Sequence, residues 1–323
     1  MRRVRPSFVL LHAEHRRTKF GVDIAEATVT PFSGILFDPN GYILTVGQVI
    51  EGAEMISAED HRGEFELCQA IGYDPASGVG VLKISPREDG QPIQESESAA
   101  EVGQPIFSLG NPYYLGATLS VGHVTGTGRT IESRGRVWTN LLQLSLAVNP
   151  GDQGGPILDY QGRLIGMVLT RYRPPAIASL EDVDVRGISF GLPAQDALIT
   201  ARNLIEVHGQ VTSTESTGGG KPWLGVRIQS IEDPILISQL KLGPDRGVLI
   251  ESVFNDSPAR KAGLEKNDVI VEFDRSEVQG LRHFGELVRR SKPGSKVPVL
   301  VIRAGDRQLV EMVIGERRTI EEK

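Results

Sequence analysis

The sequence predicts a mainly β protein with two domains. Its 323 residues exceed the roughly 100–200 of one ordinary domain. Glycine and proline punctuate the first part of the chain densely, and the runs between them are short and apolar or alternating, as β-strands are. A Ser/Thr/Gly stretch without periodicity at 210–220 is typical of a flexible linker. We therefore expect a first domain at 1–209 and a second domain at 221–318.

The first domain is expected to be built from strands and closed by one helix. Short runs predict strands at Gly34–Phe37, Gly80–Ile84 and Leu164–Leu169. The segment Asp38–Gly41 predicts a hairpin, because its Asn-Gly pair accepts the positive backbone angles that a tight hairpin turn requires. The first amphipathic helix pattern comes late, at Ala194–Val207.

The second domain is predicted to be a small, β-rich α/β unit. Its strand-like runs surround two short helical patterns. The predicted strands are Leu224–Ile228, Gly247–Val253, Asp268–Phe273 and Val297–Arg303, and the predicted helices are Pro258–Ala262 and Leu281–Arg290.

Charge and composition exclude several classes of partner. The formal net charge of -6 removes the electrostatic attraction to phosphate on which nucleic-acid binders depend, so no nucleic-acid partner is predicted. No apolar run approaches the roughly 18 residues of a membrane-spanning helix. The sparse basic residues near the start are interpreted as a solvated surface rather than a nucleic-acid-binding arm: Arg2, Arg3, Arg5, Arg16, Arg17 and Lys19.

Cysteine and histidine usage predicts neither a disulfide nor a metal site. Cys68 is the single cysteine, which excludes an intrachain disulfide, and the sequence has no Cys/His cluster with ligand spacing. No cofactor is expected. The apolar stretch Phe8–Leu11 is shorter than the roughly 7–15 residues of a signal-peptide core. The compartment is therefore left open between the cytoplasm and export of a longer precursor.

Three segments of the first domain resemble trypsin-fold proteases of the HtrA type. Asn149–Ile157 is similar to the nucleophile loop, whose family pattern is Gly-(Asp/Asn)-Ser-Gly-Gly-Pro. Gly41–Ala53 resembles the histidine segment and Asp74–Lys83 resembles the aspartate segment. The supporting phrases Ser108–Pro112 and Gly162–Gly166 also look like HtrA segments in their expected order. This resemblance implies a chymotrypsin-like double β-barrel with the chain order His, Asp, Ser.

The sequence departs from the family at the three positions where the chemistry occurs. Gln48 stands at the histidine position, Gly78 at the aspartate position and Gln153 at the serine position. A serine protease needs a hydroxyl nucleophile, an imidazole to take its proton and a carboxylate to orient the imidazole. A carboxamide does neither of the first two tasks, and glycine has no side chain. Because loss of a triad costs about a millionfold in turnover, we predict no peptide hydrolysis.

The nucleophile loop leaves two interpretations open. The loop Gly151, Asp152 and Gln153 resembles an oxyanion hole, in which backbone amides form a nest for an anion. Alternatively, the loop is a structural turn that is retained although the catalytic residues are absent. The amides of Gly151 and Gln153 are the donors that the first interpretation requires.

A displaced catalytic pair is the enzymatic alternative. Such a pair would combine His61 or His123 with Cys68, Ser120 or Ser145. Cys68 lies in a strand-like run and is interpreted as a small buried side chain. His123 lies in a strand flanked by glycine, where a hydrogen-bonded or surface histidine is the competing interpretation.

The second domain resembles a PDZ domain of the kind attached to HtrA proteases. The segments that carry this resemblance are Pro222–Val226, Gly247–Ile250, Ser257–Leu264, Asn267–Ile270 and Lys292–Ser295. The resemblance implies binding by strand addition, with the terminal carboxylate of a peptide held by backbone amides. The carboxylate loop it implies is Trp223, Leu224, Gly225 and Val226.

The predicted helix Leu281–Arg290 would form the opposite wall of the peptide groove. The residues that face either the groove or the core are Leu281, Phe284, Leu287 and Val288, and helical spacing does not separate the two sets. His283 lies near the start of this helix, where the resemblance implies either contact with a ligand hydroxyl or a solvent-facing side chain.

Taken together, the motifs predict a pseudoprotease that binds peptides or protein C-termini through its PDZ domain. It would act as a scaffold or as a regulator of an active HtrA relative, in protein quality control. The alternatives are an active endopeptidase with a displaced site and a structural subunit of a homotrimer. HtrA relatives are typically exported, so the resemblance implies a periplasmic or cell-envelope location.

Overall fold

The chain consists mainly of β-strands, which confirms the predicted fold class. The structure is a computed structural model that describes residues 3–19, 22–86, 90–133, 136–171, 187–211, 221–231, 237, 240 and 246–317. Two compact units are present. The first comprises Met1–His15, Thr28–Arg62 and Cys68–Glu215, and the second comprises Arg16–Ala27, Gly63–Leu67 and Ser216–Lys323.

The strands between Phe8 and Lys83 form a seven-stranded sheet. Its strands are β1 (Phe8–Lys19), β2 (Val22–Leu36), β3 (Tyr42–Val46), β4 (Ala53–Glu59), β5 (Phe65–Leu67), β6 (Gln69–Tyr73) and β7 (Val79–Lys83). They pair in the order β5-β4-β1-β2-β3-β7-β6. Four consecutive residues are buried in β3 and four in β7, so both faces of these strands are covered.

The next six strands close into a barrel. They are β8 (Pro105–Gly110), β9 (Thr118–Ser133), β10 (Arg136–Leu144), β11 (Pro156–Leu158), β12 (Leu164–Arg171) and β13 (Ser189–Pro193). The order around the barrel is β10-β13-β12-β11-β8-β9. Ile106, Leu144 and Ile157 fill its interior without measurable exposure. Closure leaves no unpaired sheet edge.

The predicted hairpin and helix are both present, with different bounds. Between β2 and β3 the amide of Phe37 donates to the carbonyl of Tyr42 at 3.1 Å, and Gly41 adopts a φ of 93°. Helix α1 runs from Ala194 to Val211, four residues beyond the predicted end. Residues 210 and 211, expected in the linker, are therefore helical, and 212–220 lie outside the described residues.

One local expectation for the first domain is changed by the structure. The strand-like run around Cys68 is two strands, β5 and β6, with the buried Cys68 between them. The apolar stretch Phe8–Leu11 begins β1. Among the described residues, no helix has the length and apolar character that crossing a membrane requires.

From Lys221 onward, the elements of the second unit with described bounds form a main sheet, a small two-stranded sheet and two helices. Its elements are β14 (Lys221–Trp223), β15 (Val226–Gln229), β16 (Val248–Val253), α2 (Pro258–Lys261), β17 (Val269–Phe273), β18 (Ser276–Glu277), α3 (Gly280–Arg290), β19 (Lys296–Arg303), β20 (Asp306–Val313) and β21 (Gly315–Arg317). The main sheet has the order β15-β16-β17-β19-β20, with β18 on β17, and β14 pairs with β21.

The motif Ser257–Leu264 folds as helix capping predicts. The hydroxyl of Ser257 accepts a hydrogen bond from the amide of Arg260 at 3.0 Å, and Pro258 occupies the first turn, where its missing N–H costs nothing. The buried Ala259 and Leu264 then attach the short helix to the core. This anchors the chain directly beside the predicted carboxylate loop.

A buried ion pair supports the same unit. The guanidinium of Arg303 donates to both carboxylate oxygens of Asp268 at 2.7 Å, and Asp268 has no exposed surface. The hydrogen bond from Arg303 to Asp268 raises the pKa of Arg303 despite partial burial. Such a bidentate pair fixes the strand β19 against the turn before β17.

Candidate functional site

Hydrogen bonds connect the three segments that resemble a protease active site. The amide of Gly47, one residue before the predicted histidine position, donates to the carbonyl of Gly78 at 2.8 Å. The amide of Ser33 donates to the carbonyl of Gln153 at 2.9 Å, and the hydroxyl of Thr45 donates to the carbonyl of Ser33 at 2.8 Å. These hydrogen bonds connect the positions of Gly78 and Gln153 to strand β3 or to the turn that follows it. The fold therefore holds the three predicted positions in one region.

The predicted histidine position is a surface position. Gln48 lies in the 3-10 turn Gly47–Val49 that follows β3, and its side chain is exposed while both neighbours are buried. Its carboxamide has no basic nitrogen, so it does not accept a proton near neutral pH. Gln48 supplies hydrogen-bonding capacity at this position but no general base.

The predicted aspartate position has no space for a side chain. Gly78 is buried and adopts a φ of +71°, which L-residues rarely adopt. A Cβ atom at this position would lie 2.5 Å from Cζ3 and 2.6 Å from Cη2 of Trp138. It would also lie 3.3 Å from Cδ1 of Leu169. The indole of Trp138, which is 8% exposed, fills the space beside Gly78.

The predicted serine position turns its side chain onto its own loop. The carboxamide oxygen of Gln153 accepts a hydrogen bond from the amide of Gly151 at 3.1 Å. The carbonyl of Gly151 in turn accepts from the hydroxyl of Ser33 at 2.8 Å. The Gly151 amide is one of the two donors expected for an anion nest. In this structure an oxygen from the same loop already takes that hydrogen bond.

Asp152, between these two residues, is a buried part of the loop. It is 5% exposed, and its Oδ2 atom accepts from the amide of Asn149 at 2.8 Å. Burial raises the pKa of Asp152, and the hydrogen bonds from Asn149 counteract only part of this effect. The carboxylate faces the interior rather than a substrate, so it stabilises the loop instead of acting on a ligand.

The residues proposed for a displaced pair do not form one through their side chains. Three hydrogen bonds join His123 and Ser145, and all three use backbone atoms of His123. The Nδ1 atom of His61 is buried without a hydrogen-bond partner in the described part of the chain. Cys68 is buried, and Ser120 lies on β9 with partial exposure. Within the described ranges no group of His, Cys, Asp and Glu has the arrangement of a metal site.

Two hydrogen bonds from neighbouring segments fix the orientation of the predicted carboxylate loop. The carbonyl of Leu224 accepts from the amide of Ala259, and the carbonyl of Gly225 accepts from the amide of Phe254, both at 2.9 Å. In a planar trans peptide the N–H points opposite to the C=O. The amides of Gly225 and Val226 therefore point away from these partners. Gly225, with a φ of +79°, makes this turn possible.

Strand β15 borders the main sheet of the second unit. It pairs with β16 on one side, from Val226 opposite Val253 to Gln229 opposite Leu249, and it is the terminal strand of the sheet order. An extended peptide could continue the sheet there, since edge strands present unpaired backbone groups. Trp223 and Val226 are half-buried at the start of this edge, and Leu224 is buried in the core.

Helix α3 separates the predicted groove residues into different environments. Phe284 is 2% exposed and packs edge-to-face on Phe273, with ring centroids 5.5 Å apart, so it belongs to the core. Leu287 is half-buried and Leu281 is 37% exposed. The Nδ1 atom of His283 accepts the amide of Gln279 at 3.2 Å. Its neutral imidazole therefore carries the proton on Nε2.

Sequence reasoning missed the residue that fills the aspartate position. Trp138 is remote from Gly78 in the chain, and no local pattern links the two residues. The hydrogen bond between Gln153 and Gly151 could have been predicted from the sequence. A glutamine side chain two residues after a loop amide is long enough to reach back to it.

The fold and these loops define a trypsin-like peptidase domain followed by a PDZ domain. A family model described as "Trypsin-like peptidase domain" matches residues 32–167, and one described as "PDZ domain" matches residues 222–314. Both matches include the segments that the sequence analysis identified.

Named relatives are similar to most of this chain. The chain is 31% identical over 286 residues to a probable periplasmic serine endoprotease DegP-like of Hahella chejuensis, covering 88% of this chain and 56% of the relative. It is 32% identical over 273 residues to a protein of the same name from Chlamydia pneumoniae, covering 84% and 52%. The chain thus spans about half the length of these relatives.

Solved structures of HtrA-type proteases have a similar fold. The HtrA-type protease AlgW with a decapeptide has a TM-score of 0.53 and 26% identity, with coverage of 98% of this chain and 97% of that chain. AlgW with a tripeptide has a TM-score of 0.54 and 27% identity, with coverage of 98% and 96%. The chain is a homologue of the DegP and HtrA proteases, with a trypsin-like peptidase domain and one PDZ domain.

Proposed function

We propose that this protein is a pseudoprotease that binds peptides or protein C-termini through its PDZ domain and does not hydrolyse them. The observation that carries this proposal is the set Gln48, Gly78 and Gln153 at the three triad positions. These residues provide no nucleophile, no base and no orienting carboxylate. Backbone donors and substrate binding alone leave only about 10³–10⁴ of acceleration over water.

The surroundings of the three positions support the same proposal. Trp138 fills the space beside Gly78, and Gln153 takes the hydrogen bond of the Gly151 amide. In a site that had lost only its reactive groups, this space would be empty and this amide would be available to a substrate. A substrate carbonyl would have to displace the Gln153 side chain to reach the Gly151 amide.

Peptide binding is proposed for the edge strand β15 and the loop that precedes it. The amides of Gly225 and Val226 would receive the terminal carboxylate, and β15 would pair with the preceding residues of the peptide. Leu224 and Val226 would frame the site of the last side chain, opposite α3. AlgW, a relative solved with peptides, is consistent with such a ligand. A scaffold or regulatory role toward an active HtrA relative follows from binding without cleavage.

Location and assembly are proposed by analogy with the relatives. Their names describe periplasmic endoproteases, so we place the protein in the cell envelope. A homotrimer is the proposed assembly. Sedimentation at micromolar concentration tests it, and a strictly monomeric particle would count against both the trimer and co-assembly with an active relative.

An active endopeptidase with a displaced site is the second candidate, because the relatives are named as endoproteases. It would use His61 or His123 as the base. Reaction of the unmodified protein with a fluorophosphonate probe would favour it. The geometry around His123 offers less support, since the His123–Ser145 contacts are made through the backbone of His123.

The binding proposal is tested with a library of fluorescent peptides that have free C-termini. Each peptide that binds is remade with a C-terminal amide, which removes the carboxylate and leaves the sequence unchanged. We expect micromolar binding. Amidation should raise Kd at least tenfold, which corresponds to about 1.4 kcal/mol of binding free energy. Equal binding of acid and amide forms would contradict the assignment of the carboxylate loop.

A further inference from the structure

We propose that Trp138 locks the degenerate site, because its indole occupies the volume that the side chain of an aspartate at position 78 would need. This inference rests on the proposed function and extends it. The inactivity would then be fixed by packing as well as by the loss of three reactive groups. Trp138 is assigned as the residue that sterically excludes a side chain at position 78.

The distances leave no room for even the first side-chain atom. A Cβ atom at position 78 would approach Cζ3 and Cη2 of Trp138 to 2.5 and 2.6 Å, whereas real Cβ atoms essentially never come within 3.0 Å of another heavy atom. Both atoms belong to the outer edge of the indole. An aspartate extends beyond Cβ by a whole carboxylate, so it would need more of this volume.

The indole and the turn are both held in place. Trp138 is buried on β10, with 8% exposure, and Leu169 lies 3.3 Å from the same Cβ position. On the turn, the carbonyl of Gly78 accepts from Gly47, and the Gly78 amide donates to the carbonyl of Asp74, both at 2.8 Å. The turn therefore cannot move away from the ring without losing these two hydrogen bonds. Close-packed interiors tolerate such overlap poorly.

A consequence is that restoring the three triad residues is not sufficient to restore the site. The variant Gln48→His/Gly78→Asp/Gln153→Ser would place its new carboxylate against the indole. Adding Trp138→Ala to this variant would vacate the space. The new carboxylate at position 78 can therefore contribute to activity only when Trp138→Ala is also present.

A thermodynamic cycle tests the packing claim without any need for activity. The four proteins are the unmodified chain, Gly78→Ala, Trp138→Ala and the double variant, and the measurement is the urea midpoint of unfolding. Gly78→Ala should lower the midpoint clearly when Trp138 is present and much less when it is absent. Part of the loss, caused by the positive φ, remains in both backgrounds.

A matched control isolates that backbone contribution. Gly103 has a φ of +89°, and a Cβ atom there would meet nothing within 4 Å. Gly103→Ala should therefore lower the midpoint by the same small amount in both Trp138 backgrounds. An equal loss for Gly78→Ala in the two backgrounds would overturn the proposal.

The restored variants give a second readout. The triple variant should remain unlabelled by a fluorophosphonate probe, and addition of Trp138→Ala should raise labelling at least tenfold. Labelling of the triple variant at the same rate as the quadruple variant would overturn the proposal. Cleavage by the unmodified protein would instead contradict the proposed function and leave the packing cycle unaffected. The two failures are thereby distinguishable.

Discussion

Gly225→Ala provides the sharpest perturbation of the proposed peptide site. Gly225 has a φ of +79°, and a Cβ atom there would lie 2.9 Å from Cη2 of Trp223 and still closer to Cβ of Ser257. The left-handed backbone costs an L-residue about 1 kcal/mol, and overpacking adds about 1–3 kcal/mol. We expect a loss of about 3 kcal/mol in the free energy of unfolding of this unit. Because the shift moves the amides that would receive the carboxylate, peptide affinity should fall at least tenfold.

The assay is fluorescence anisotropy with a C-terminal peptide, run beside urea unfolding followed by tryptophan emission, to which Trp138 and Trp223 both contribute. Gly294→Ala is the matched control, because Gly294 has a φ of +82° and a Cβ atom there would meet nothing within 4 Å. The control should lose only about 1 kcal/mol of stability and keep its affinity. Unchanged affinity in Gly225→Ala, or an equal loss in both variants, would refute this reasoning.

Three further predictions concern charged groups. Arg303→Ala leaves the fully buried Asp268 unpaired and should cost about 3 kcal/mol of stability by urea unfolding, while Arg303→Lys should recover part of it. Burial raises the pKa of Asp152, so the unmodified protein should lose stability relative to Asp152→Asn as the pH rises from 4 to 7, measured as a widening difference in Tm. Burial alone would raise the pKa of Asp74, but hydrogen bonds from Ser77 and nearby amides lower it, so Asp74→Ala should cost about 1 kcal/mol at pH 7. Thermal melting should show that this difference shrinks as the pH falls below the unfolded pKa.

Local chemistry made much of the fold predictable from the sequence. Asn40-Gly41 predicted the turn between β2 and β3, and the helical pattern that begins at Pro258 predicted the start of α2, because each depends on a few adjacent residues. The end of α1 was predicted too early. Polar Gln210 gives no stop signal of its own, and the helix continues to Val211.

Contacts between distant residues were beyond sequence reasoning. Asp268 and Arg303 are end residues of two predicted strands, and only the fold brings them together at 2.7 Å. Likewise, Gly78 was interpreted as a missing carboxylate, whereas the structure adds that Trp138 fills the vacated space. A sequence specifies which group is absent from a site. The volume left by that group depends on side chains contributed by other strands.

The most direct test of the central claim is a cleavage assay with the purified, unmodified protein on casein and on unstructured peptides, with fluorophosphonate labelling in parallel. The account predicts no cleavage above the buffer control and no labelled band. A cleavage activity that copurifies with the protein through successive columns, and that a single substitution at His61 or His123 abolishes, would contradict the proposed lack of hydrolysis.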